Sequence, residues 1–243
     1  MKKFIAVFAA MMLALTVTAC GAVSIDGEST GNKDTSKSQG DSIGFSISTL
    51  NNPFFVTLSE GAKAEAEAAE KKLIVLDAGD DAAKQASDIE DLISKGIQVL
   101  IVNPVDSDAV APAIKDAIAQ GIQVISVDRA VNGVTVDCAI ASDNAAGAKM
   151  ATEYLVSLVG EQAKVAELEG VPGASATIER GKGFHSVADD TLNVVASQTA
   201  NFNRSEGMSV MENILQANAD VQGVFAHNDE MALGAVEAVG NKE

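Results

Sequence analysis

Tryptophan is absent from this chain, tyrosine occurs once and histidine twice. With aromatics so scarce, any that sits in a loop is a candidate for ligand contact. The two histidines, His185 and His227, have no metal-ligand spacing with each other or with Cys138, so neither a metal nor a cofactor is expected. Cysteine also occurs only twice and forms no CxxC. Basic side chains are few: 17 Lys and Arg stand against 34 Asp and Glu, for a net charge of -17. Such a surface argues against nucleic acid or anionic lipid as a partner. No GxGxxG follows the first predicted strand, no GxxxxGK[ST] occurs, and no GxSxG elbow follows a predicted strand, which excludes a phosphate cradle and a hydrolase elbow. No pair among the many carboxylates stands out as a glycosidase pair, so no catalytic residue is expected.

The N-terminus is organised differently from the rest. Lys2 and Lys3 precede an apolar run from Phe4 to Val17, which is too short to span a bilayer comfortably and reads as a signal-peptide core over residues 1–19. Val17-Thr18-Ala19-Cys20 is a lipobox-like cleavage site, so Cys20 is expected to carry lipid and anchor the protein to the membrane outside the cytoplasm. A plain signal peptide with an incidental cysteine is the alternative. Residues 20–41 are rich in Gly, Ser, Thr, Asp and Lys and read as a flexible tether. Cys138 then has no disulfide partner and is expected to be a small buried apolar side chain.

From residue 42 onward two periods alternate. Short β-rich runs fall at 43–49, 73–77, 97–102 and 122–127, separated by helical patterns such as Phe55, Leu58, Ala62, Ala66 and Ala69. Gly96 and Gly121 stand where helix C-caps belong. After a short run at 137–141 the alternation resumes. Asp143 or Asn144 caps a helix carrying Met150, Tyr154, Leu155 and Leu158. Strands at 164–168, 194–199 and 221–226 then alternate with helices at 174–188, 204–216 and 229–239. The expected fold is α/β with two similar lobes, residues 42–142 and 143–243, each a parallel sheet flanked by helices.

In open parallel sheets, ligands bind outside the carboxyl ends of the strands. That rule selects loops with unusual contents. Asn52-Pro53-Phe54-Phe55 opens a helix, with Asn52 as cap and Pro53 in the first turn. Two adjacent Phe cannot both face the core, so at least one should look outward. Asp128-Arg129 places opposite charges side by side, Phe202 is a third loop aromatic, and Asn103 and Asn228 follow strands directly. Arg204, at a helix start, reads as solvated. The set suits a sugar: flat aromatics cover its C–H faces, and charged or amide groups bond its hydroxyl rim.

These loops resemble those of D-ribose-binding proteins, the type I periplasmic sugar-binding proteins of ABC importers. The resemblance is carried by Ser48-Thr49-Leu50-Asn51-Asn52-Pro53-Phe54-Phe55, Asn103-Pro104-Val105-Asp106-Ser107, Val127-Asp128-Arg129, Ile140-Ala141-Ser142-Asp143-Asn144, Glu179-Arg180-Gly181 and Asn228-Asp229-Glu230-Met231. It extends over residues 42–243. It implies ligand contacts at Asn52, Phe54, Phe55, Asn103, Asp128, Arg129, Arg180, Phe202 and Asn228. Arg180 enters only in this way, since it lies within a helical pattern. The family also implies a further strand, hinge crossings and another βα unit beyond the last helix here, so the second lobe is expected to lack its last strands. The expected function is capture of a monosaccharide, D-ribose, between two lobes and delivery to an ABC permease. A sensor docking on a chemoreceptor or sensor kinase is the alternative. A sugar-acting enzyme is disfavoured for want of a nucleophile or acid–base pair.

Overall fold

The computed structural model describes residues 42–240. The leader, Cys20 and the tether lie outside the described residues.

The first half contains β1 (Ser42–Ile47), α1 (Pro53–Ala68), β2 (Lys72–Asp77), α2 (Ala82–Ser94), β3 (Val99–Val102), α3 (Ala111–Ala119), β4 (Gln123–Val127) and β5 (Cys138–Ile140). Its strands form one five-stranded sheet in the order β2-β1-β3-β4-β5, parallel throughout. The second half contains α4 (Asn144–Val159), β6 (Lys164–Glu169), α5 (Ser175–Thr191), β7 (Asn193–Thr199), α6 (Arg204–Ala217), β8 (Gly223–Ala226) and α7 (Asp229–Gly240). Its sheet has three parallel strands in the order β7-β6-β8. Alternation of strand and helix thus becomes two parallel sheets, each covered by helices.

The local causes are visible in the caps. Asn52, Asp81, Asp143 and Asn203 each accept a backbone N–H at the start of a helix. Gly96 and Gly121 end α2 and α3 with φ of +74° and +80°, a backbone region that a side chain would strain. The first core is aliphatic: Ile89, Leu92, Leu100, Ile114 and Val124 have no exposed surface. Each such side chain contributes about 1.5–3 kcal/mol by leaving water. In the second half Phe184 stacks on Phe225 at 4.7 Å between ring centroids, and both pack with Val165, Ala188 and Leu192.

One expectation about burial requires correction. Cys138 is exposed, because β5 is a three-residue strand at the sheet edge with all three residues exposed. The apolar residues of α4 do not share one buried face: Leu155 packs inward, while Met150, Tyr154 and Leu158 are exposed. Together with exposed Leu233, Val236 and Val239 of α7, they belong to the helices on either side of β8, which pairs only with β6 among the described strands.

The chain passes from β5 to α4 through residues 141–143, and the loops of the two halves also touch directly. Ser107 N–H donates to Gly173 O at 3.0 Å, Ser175 N–H to Ser107 Oγ at 3.1 Å, and Ala130 N–H to Ser175 Oγ at 2.8 Å. A Cβ on Gly173 would stand 2.1 Å from Asp106 Oδ2, so glycine permits this approach.

Candidate functional site

A cleft of about 1180 Å³ is lined by residues of both halves. Asn52, Phe54, Phe55, Asp128 and Arg129 face it from the first half, and Arg180, Phe202 and Asn228 from the second. Of the residues singled out in the sequence, only Asn103 is not on the wall. It is fully buried beneath the wall, where Ser48 Oγ donates to its Oδ1 at 2.6 Å. Its own Nδ2 donates to Val127 O at 3.1 Å and to Asp128 Oδ2 at 3.5 Å. In this structure Asn103 therefore holds Asp128 from behind.

The two phenylalanines divide as their spacing requires. Phe54 is 57% exposed and Phe55 only 4%, with ring centroids 5.3 Å apart and edge to face. Pro53 at the helix start and the Asn52 Oδ1 bond from Phe54 N–H, at 3.0 Å, set the direction of both rings. Phe202 comes from the loop between β7 and α6 and has φ of +58°. A bulky side chain rarely adopts that conformation, which costs on the order of 1–3 kcal/mol and persists where surroundings enforce it. The enforcing contacts are clear. Asn228 Nδ2 and Asn52 Nδ2 donate to Phe202 O at 3.1 and 3.5 Å. The ring lies so close on Gly170 that a Cβ there would be 2.1 Å from it.

Arg129 is the centre of the site. Its guanidinium sits 5.2 Å from the Phe55 centroid and 5.4 Å from that of Phe202, and only 2% of the residue is exposed. Nη1 donates to Pro104 O at 2.8 Å. Nε is the one buried side-chain polar atom without a hydrogen-bond partner among the described residues. Asp128 Oδ2 is 3.8 Å away, within ion-pair range but beyond a hydrogen bond. Burial pushes the Asp128 carboxyl up from its ordinary value, against the pull of Arg129 and Arg180. Burial likewise lowers Arg129, against Asp128 and Asp80. Both shifts have one meaning: each charge loses more hydration than the other restores. Hydroxyl groups placed between them would supply the missing partners.

Arg180 lies on α5, where the residues alone did not single it out. Its Nε donates to Asn144 Oδ1 at 2.9 Å and its Nη1 to His227 O at 2.5 Å, while its guanidinium is 5.8 Å from the Phe202 centroid. Asn144 in turn donates to Glu179 Oε2 at 2.9 Å. Asn144 and His227 thus belong to the site and were missed. Arg204 pairs with Glu230 at 2.9 Å and remains 45% exposed, as its position at a helix start suggests. It lines a second, smaller cavity of about 210 Å³, which Asn52, Phe55, Arg129 and Phe202 border from the other side. Among the described residues, no group of three or more His, Cys, Asp or Glu is placed to hold a metal ion.

The periplasmic binding protein domain family matches residues 43–243. The ribose import binding protein RbsB of Bacillus subtilis is 48% identical over 241 residues, covering 99% of this chain and 78% of that protein. RbsB of Escherichia coli K12 is 48% identical over 200 residues, covering 82% of this chain and 68% of its own length. Among solved structures, the Caulobacter myo-inositol binding protein bound to myo-inositol superposes with a TM-score of 0.78 at 36% identity. That match covers 82% of this chain and 70% of the other.

Proposed function

This chain belongs to the periplasmic binding protein domain family, and from that premise we propose that its cleft captures a monosaccharide, D-ribose, for an ABC importer. The observation that carries the reading is Arg129. It is a buried guanidinium clasped between two phenylalanine rings, with an unpartnered Nε and an under-bonded carboxylate beside it. A pyranose presents the complement, apolar faces for the rings and hydroxyls that both accept and donate.

The site residues then have distinct roles. Phe54, Phe55 and Phe202 cover the sugar faces. Asp128 accepts hydroxyl protons, and Arg129, Arg180, Asn52 and Asn228 donate to hydroxyl oxygens. Asn103 keeps Asp128 aimed at the cleft. A sugar that lacks one of these hydroxyls leaves a buried polar group unpaired, which is the basis of discrimination. Because residues 42–142 and 143–243 both contribute walls, sugar contacts the two halves together only when they are closed, and binding shifts the equilibrium toward that form. Lipid on Cys20 would keep the body at the outer face of a membrane, within reach of its permease.

Isothermal titration against pentoses, hexoses and cyclitols tests the reading. Ribose should give the largest affinity. Arg129→Ala and Asp128→Ala should each weaken it by about 1.5–3 kcal/mol, as for hydrogen bonds to charged groups. Absence of heat with every sugar would remove the reading. Unchanged affinity in both variants would remove those two residues from the site.

A further inference from the structure

Behind the cleft wall of the second half lies a charged interior that no sugar contact accounts for. Glu167, in the middle strand β6, has no exposed surface. Its Oε1 is 3.0 Å from His227 Nε2, and its Oε2 accepts from Ser197 Oγ at 2.6 Å. His185 Nε2 approaches the same Oε2 at 3.2 Å from α5, with Asp189 at 2.7 Å from its other nitrogen. His227 is 3% exposed, and its Nδ1 accepts the Gly170 N–H at 3.3 Å. That bond leaves the ring proton on Nε2, where it is donated to Glu167.

The imidazole is connected to two residues of the proposed site. Through its own backbone carbonyl, His227 orients the Arg180 guanidinium. Through Gly170 it sets the surface on which the Phe202 ring rests. Gly170 O also accepts from Thr199 Oγ1 at 2.8 Å, which ties the same turn to the end of β7. Asn228, the next residue, caps α7 and bonds Phe202 O.

We propose that Glu167 and His227 are positioning residues for the sugar site, and that protonation of His227 at Nδ1 weakens sugar binding. This inference rests on the sugar-binding reading above. Protonation of Nδ1 replaces an acceptor with a donor facing the Gly170 N–H. One of the two must move. Gly170 has no room to move toward Phe202 without shifting the ring, and rotation of the imidazole breaks the bond to Glu167. Either response disturbs Phe202 or the strand end that carries the Arg180 acceptor. The charges facing this ring are Glu167 from β6 and Arg180 from α5. His185 and Asp189 of α5 lie behind Glu167, and α7 begins with Asp229 and Glu230 just beyond. The carboxyl of Glu167 is itself held below its ordinary value by the bonds from His227 and Ser197, in spite of burial.

The experiment combines two measurements on the purified full chain between pH 5.5 and 8. The first is ribose affinity by calorimetry for wild type, His227→Gln, His185→Gln and Glu167→Gln. The second is the Arg180 Nε–H signal by NMR without sugar, read for its exchange with water. Glutamine at 227 still donates and accepts but does not titrate. Wild-type affinity should fall about three- to tenfold toward pH 5.5, the effect of one hydrogen bond. The Arg180 signal should lose protection over the same range. Both trends should flatten in His227→Gln and persist in His185→Gln. Glu167→Gln should expose the Arg180 signal already at pH 8. If His227→Gln keeps the wild-type pH profiles, or His185→Gln abolishes them, the inference is overturned while the sugar reading stands. If no sugar binds but the Arg180 signal behaves as described, the positioning role stands and the sugar reading fails.

Discussion

The two halves bury polar groups beneath the same cleft by different means. Under the first half the groups are neutral. Gln85, 1% exposed, donates to Asn103 O at 2.9 Å and Ser46 Oγ at 3.2 Å, and accepts from Val105 N–H at 2.8 Å. Asn103 and Ser48 complete that cluster, and every bond in it is indifferent to pH near neutrality. Under the second half the corresponding position is taken by Glu167, His227, Ser197 and His185. An amide clamp is fixed in one state, whereas a carboxylate–imidazole pair has two. The five-stranded half is therefore built as a constant support for Asp128 and Arg129. The three-stranded half carries Arg180, Phe202 and Asn228 on a support that protons can alter.

The largest test of this contrast addresses stability. Phe184→Ala opens a cavity between α5 and β8, at a cost of about 3–5 kcal/mol. The second half has only three strands, so its amides in β6, β7 and β8 should lose hydrogen-exchange protection before those of β1, β3 and β4. Simultaneous loss in both sheets would show that the halves unfold as one unit.

Next in size is the amide clamp. Gln85→Ala leaves the buried Asn103 O and Val105 N–H without these partners, a loss of about 1–3 kcal/mol. Chemical denaturation should give the same loss at pH 5.5 and pH 8. A pH-dependent loss would erase the distinction between the two supports.

Glu167 should behave in the opposite manner. Its folded carboxyl is held below the ordinary value, so the unfolded chain binds a proton first as pH falls. Its stabilisation is complete above the ordinary carboxylate range and is lost as pH drops through the folded value. Wild type and Glu167→Gln should therefore differ most near pH 7 and converge toward pH 3. A constant gap would place the effect in packing rather than charge.

The smallest effect belongs to the surface. Lys164 and Asp220 meet at 2.5 Å with 42% and 66% of their side chains exposed. Lys164→Met should leave the thermal midpoint unchanged, since water and ions screen such a pair.

Much of the first half's cleft wall was legible at the level of single loops, because its cues are local. Asn52 before Pro53 announces a helix start, and two adjacent Phe there force one outward. The charged support was not legible in that way. Glu167 sits between Ala166 and Leu168 in the buried stretch of β6, and a carboxylate in a buried strand is itself a signal that a partner exists. The partner lies 60 residues away at the end of a strand that reads as ordinary. Cys138 was misread for a related reason. Apolar residues at helical or strand spacing imply a covered face, but only sheet order decides whether a given face is covered.

The sequence by itself determined the alternation of strand and helix, the caps that start and stop the elements, and the loops at the strand ends. All of these follow from propensities and periodicities within a window of ten or twenty residues. Only the tertiary structure decided that Asn103 lies beneath the cleft wall rather than on it. It also decided that Arg129 is clasped between Phe55 and Phe202, and that a helix residue, Arg180, faces the cleft. Those outcomes depend on which strands become neighbours. The order β2-β1-β3-β4-β5 and β7-β6-β8 joins residues tens of positions apart through long-range burial, and no local pattern encodes those partners.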